Sequence, residues 1–149
     1  MKQAKKSLIT AQEFQANVRH KSRKKQEEHE LQKGCVKWFR LQYPKLQKLL
    51  FAIPNGARLA GNNRVERAKE WNKLKAEGAV QGAADLFLSI PSGDLAGLYI
   101  EMKTPKGKQS KEQQAFEQAV VQQGYGYAMP KSFFEFERVI KSYLKSGEY

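Results

Sequence analysis

Apolar residues recur along this chain with two periods, and the change between them marks out its elements. From Gln26 to about Leu41, the residues Leu31, Cys35, Trp38, Phe39 and Leu41 fall at helical spacing. They predict an amphipathic helix that Pro44 interrupts or ends. Ahead of it, "TAQE" at 10–13 is a capping-box pattern, with Ile9 and Phe14 placed as a hydrophobic staple. That predicts a short helix over about 11–19. "RHKSRKK", at 19–25, reads as a basic hinge or arm.

Further on, Leu49–Ile53 is a short apolar run suited to a strand. "PNGARLAGNN" is turn chemistry. "RVERAKEWNKLKAEG" predicts a helix that stops at Gly78. "DLFLSI" and "LYIEMKT" read as strands joined by the loop "PSGDLAG". "SKEQQAFEQAVVQQG" runs from a capping box to a terminal Gly and predicts a helix. "YGYAM" is a short strand, and "SFFEFERVIKSYLKSG" opens on another capping box, Ser132 to Glu135. The order predicts a mixed α/β domain, a small sheet flanked by helices.

The pair of strands around Gly93 and Asp94 should be antiparallel, with side chains alternating between faces. One face takes Leu86, Leu88, Ile90, Leu98, Ile100 and Met102. The other takes Asp85, Phe87, Ser89, Tyr99, Glu101 and Lys103. Asp85 then lies opposite Glu101 or Lys103, depending on the turn. Two carboxylates brought together where water is scarce repel, and a divalent cation such as Mg2+ relieves the repulsion. Lys103 would position or deprotonate an attacking water, or stabilise charge on a phosphate. The same three charges also suit an ion pair at a strand end.

Charge narrows the partners. Lys and Arg number 27 against 15 Asp and Glu, a net of +12, and a field of that sign attracts nucleic acid. Residues 1–25 hold eight basic residues and one acid, so this arm carries +7 and the body, 26–149, only +5. No apolar run approaches the roughly 20 residues needed to span a bilayer, so no membrane is expected. The N-terminus has no long apolar stretch or cleavage signal, and Cys35 is the only cysteine. Both fit a reducing cytoplasm. His20, His29 and Cys35 lack ligand spacing, and Trp38, Phe39 and Trp71 read as core.

Five ordered segments then carry a resemblance over roughly residues 28–140: "EHELQKGCVKWFR", "IPNGARLAG", "GAVQGAADLFLS", "LYIEMKTPKGKQSKEQQAF" and "QQGYGYAM". Together they resemble the virus-type replication–repair nuclease (VRR-NUC) family of the PD-(D/E)XK nuclease superfamily. "EMK" stands for the family's ExK and "GAAD" for its Gly-x-x-Asp, with Ala84 where Pro is more usual. The resemblance implies a restriction-endonuclease-like core and a Mg2+- or Mn2+-dependent DNA endonuclease leaving a 5′-phosphate and a 3′-hydroxyl. Asp85, Glu101 and the Met102 carbonyl would ligate metal, with Lys103 catalytic. Glu30 matches a further acidic position near the metal. Gln113 matches a glutamine on the helix after ExK, where it also completes a capping box with Ser110. Asn55 and Arg58, in the Pro-Asn loop, would contact DNA. Lys106 and Lys108 are placed for backbone contacts. Branched DNA such as a Holliday junction is the implied substrate, for DNA repair, cut by a homodimer in a bacterial or phage-infected cell. A DNA- or RNA-binding module that kept the fold without catalysis is the competing expectation.

Overall fold

The computed structural model describes residues 11–54 and 63–145, so Asn55 and Arg58 lie outside the described residues. Eight elements follow the expected order: α1 (Ala11–Gln42), β1 (Leu50–Ala52), α2 (Arg64–Ala76), β2 (Leu86–Leu88), β3 (Leu98–Ile100), α3 (Lys111–Gln122), β4 (Gly126–Ala128) and α4 (Phe133–Lys145). The strands form one sheet ordered β1-β2-β3-β4. The first three are antiparallel neighbours, and β4 returns parallel to β3 after α3.

The clearest departure from expectation is α1. The expected hinge at 19–25 is helical, continuous from Ala11 through Gln42 over 32 residues. No Gly or Pro occurs in 11–33, and Lys, Arg, Gln and Glu are good helix formers. Side chains one turn apart add support, with Arg23 Nε 3.2 Å from Glu27 and Gln26 Nε2 3.1 Å from Glu30. The charged segment lacks an apolar stripe, so periodicity alone could not register it.

Other ends obey local chemistry. Asn63 caps α2, its side chain accepting the Glu66 N–H at 2.9 Å. Gly78 ends that region with φ of 101°. No residue of α2 is buried, so Trp71, expected in the core, instead sits half-buried beneath Lys75 at 6.0 Å. The α3 capping box is complete: Ser110 Oγ accepts from Gln113 N at 3.2 Å, and Gln113 Oε1 accepts from Ser110 N at 2.9 Å. At α4, Ser132 accepts from Glu135 N at 3.1 Å, while the Glu135 carboxylate takes the Lys131 N–H at 2.8 Å.

One face of the sheet is the core. Leu86, Leu88, Leu98 and Ile100 pack with Cys35 and Phe39 of α1 and with Phe136, Ile140 and Leu144 of α4. Each such side chain contributes about 1.5–3 kcal/mol through burial. Tyr143 of α4 donates its hydroxyl to the Ile90 carbonyl at 2.6 Å and so fixes the hairpin to the helix layer. The opposite face is aromatic. Phe87 and Tyr99 stack at 4.5 Å between ring centres, flanked by Phe51 and by Phe116 of α3.

Candidate active site

The β2–β3 register decides which charges meet. Leu86 faces Ile100 and Phe87 faces Tyr99, so one step further Asp85 faces Glu101. Backbone bonds hold both positions beyond the named strands: Ile53 N donates to Asp85 O at 2.9 Å, and Glu101 N donates to Ala128 O at 2.9 Å. The Asp85 carboxylate takes the Met102 N–H at 2.8 Å, which turns it toward β3.

Glu101 is 1% exposed. Its Oε1 lies 2.7 Å from Lys103 Nζ and also accepts from Gln113 Nε2. Its Oε2 is buried and has no hydrogen-bond partner among the described residues. Burial first, and then the Asp85 charge, push the Glu101 carboxyl up to about 7 against the opposing pull of Lys103. A buried carboxylate oxygen without a donor is costly, and its companion is already held by two. The donor set is hard oxygen, which suits Mg2+ or Mn2+. Among the described residues no group of three His, Cys, Asp or Glu side chains converges. The cation would thus take two protein carboxylates, with the Met102 carbonyl, water and phosphate oxygens for the remainder, as Mg2+ commonly does.

Gln113 reaches this point because α3 begins beside the Asp85 segment. Gly82, with φ of 83°, runs so close to α3 that a Cβ there would meet backbone of Glu112 and Gln113. Above these residues opens a cavity of about 470 Å³, lined by Asp85, Glu101, Lys103 and Gln113, and across it by Lys24, Lys25, Glu28 and His29 of α1.

Glu30 is not brought into this group. It is exposed and pairs with Lys33 at 3.0 Å. Glu28 enters instead, accepting the Thr104 N–H at 3.3 Å. At 3.6 residues per turn, position 28 lies about 20° from the buried Cys35 stripe and position 30 about 140° away. An acid on the inward stripe was the available signal. Lys106 and Lys108 are exposed in the loop after Lys103.

A solved structure, "VRR_NUC domain protein", matches this chain with a TM-score of 0.66 at 24% identity, covering 80% of this chain and 89% of that one. The chain has the VRR-NUC fold. No protein-family model matches the sequence, and no curated protein does. Within the VRR-NUC fold, the Asp85–Glu101–Lys103 group sits where the β2–β3 hairpin, α1 and the start of α3 meet. No described helix is long and apolar enough to cross a membrane.

Proposed function

We propose that this chain is a divalent-metal-dependent endonuclease that hydrolyses DNA phosphodiesters. One observation carries the reading: the buried Glu101 Oε2, without a hydrogen-bond partner among the described residues, beside the Asp85 position. A net charge of +12 supports a nucleic-acid substrate, and the fold likeness supports a nuclease.

Asp85 and Glu101 would hold Mg2+ or Mn2+, joined by the Met102 carbonyl. The cation supplies Lewis-acid activation of water and offsets charge developing on the phosphate. Lys103, anchored on Glu101 Oε1 at 2.7 Å, would donate from its ammonium to the attacking water or a phosphate oxygen. Gln113 holds Glu101 in position from α3. Glu28 ties α1 to the strand end and adds negative charge near the site. The basic arm at 1–25, Asn55, Arg58, Lys106 and Lys108 would contact the phosphate backbone, which fixes position but reads no sequence. A four-way junction cut by a two-fold dimer is the substrate and assembly we favour, since a symmetric pair of cuts suits a two-fold partner.

The test incubates the protein with labelled junction, flap and linear DNA, in Mg2+ or in EDTA. Cleavage should require the metal and should fall by more than a hundredfold in Asp85→Ala and Lys103→Ala. If both variants cut like the parent, the site assignment fails. If nothing is cut but DNA is bound, the chain is a binding module that keeps the fold.

A further inference from the structure

Beside the Asp85–Glu101 cavity lies a second one of about 380 Å³, and the two share Lys24 as a common wall. We propose that this second cavity takes a phosphate of the same nucleic-acid strand that runs through the Asp85–Glu101 cavity. The inference rests on the proposed function for the first cavity and adds a defined contact for the flanking nucleotide.

His20, Arg23, Lys24 and Lys106 line the second cavity, with Glu27 the one acid among its lining residues. Arg23 engages Glu27 at 3.2 Å. Lys24 and Lys106 form no ion pair with another described residue. With Glu27 matched to Arg23, the two lysines facing one concavity repel each other, and an anion between them reverses the sign of that energy.

Backbone geometry fixes where these side chains stand. His20 and Lys24 are one turn apart on a continuous helix. Lys106 projects from a turn closed by Gly107 N donating to Thr104 O at 2.8 Å, with Pro105 at its second position. The Glu28–Thr104 bond joins that turn to α1. So the floor of the second cavity continues the strand end that bears Glu101 and Lys103. From Lys24 to His20 the helix advances about 6 Å. Because Lys24 lines both cavities, a strand leaving the first meets the second along the next stretch of its backbone.

The test measures binding of a fluorescein-labelled oligonucleotide by anisotropy, in EDTA, across a salt series. The charge-removing double variant Lys24→Gln/Lys106→Gln is compared with Lys45→Gln/Lys48→Gln, which removes two exposed lysines outside both cavities. Circular dichroism confirms that both fold. Loss of one phosphate contact should lower the magnitude of the log–log salt slope by about 0.7 on a single strand, or 0.9 on a duplex, in the first variant alone. Equal slopes in the two variants overturn the proposal. Cleavage of the same DNA in Mg2+ separates the two claims. An unchanged slope with metal-dependent cutting removes the flanking site and leaves the nuclease. A lowered slope without cutting by the parent keeps the phosphate site and removes the nuclease.

Discussion

A Cβ placed on Gly82 would stand 2.7 Å from the backbone nitrogen of Gln113. No rotamer relieves that contact, because the opposing atoms are backbone. The φ of 83° adds strain for any residue with a side chain. The approach of these two residues brings the Asp85 segment and the Glu101-binding Gln113 into one site.

Gly82→Ala should therefore cost on the order of 2 kcal/mol and weaken metal binding as α3 moves off. Gly34→Ala is the contrasting case. Gly34 sits inside α1 with nothing within 4 Å of an added Cβ, so alanine there should stabilise by about 0.5–1 kcal/mol. Urea denaturation reads both, and changes of the same sign would contradict the account.

Stability should depend on pH through Glu101. Its carboxyl ionises near 4.5 in the unfolded chain and at about 7 in the fold. Between those values the folded state holds the extra proton, so the metal-free protein loses stability as pH rises from about 4.5 to 7. The loss is about 3 kcal/mol at most. Saturating Mg2+ should restore stability most at pH above 7, where the carboxylate is ionised. Urea midpoints in EDTA and in Mg2+, compared with Glu101→Gln, isolate this contribution. A parent and variant with the same pH slope would remove it.

Gln113→Ala should lower metal affinity about 10- to 100-fold, because Glu101 loses the donor that orients it. Ser110→Ala should cost about 1 kcal/mol of helix capping and a smaller share of affinity, since it acts through Gln113. Titration calorimetry with Mn2+ distinguishes them; equal affinities in parent and Gln113→Ala would exclude the orienting role.

Cys35 is fully buried, and burial pushes its thiol up to about 12. A thiol held protonated and out of solvent is unreactive. A disulfide reagent should modify no thiol in the native protein and one after denaturation. Rapid native labelling would show the α1 core contact to be open.

The order of the elements was legible because each boundary carries its own chemistry: Pro44, Gly78, and the Ser110 and Ser132 boxes. Asp85 and Glu101 were legible as neighbours because a short hairpin sets its own register. Glu28 was hidden among Glu27, Glu28 and Glu30, since only the docking of α1 against Thr104 selects among them. Gly82 stood out only as the Gly of the Gly-x-x-Asp motif, and its steric role was hidden because the demand comes from a helix 30 positions later. Trp71 was misread since size suggests burial, while α2 packs too lightly to provide it.

The uninterrupted course of α1 also bears on the thermodynamics of capture. Thirty-two residues at 1.5 Å each make a rod of about 48 Å, rooted in the interior by Cys35 and Phe39. A floppy cationic tail would have to be ordered each time it met a polyanion, at about 1–2 kcal/mol per residue. Here the described part of that segment is already helical, and under the proposed function an incoming strand would meet a preformed rail.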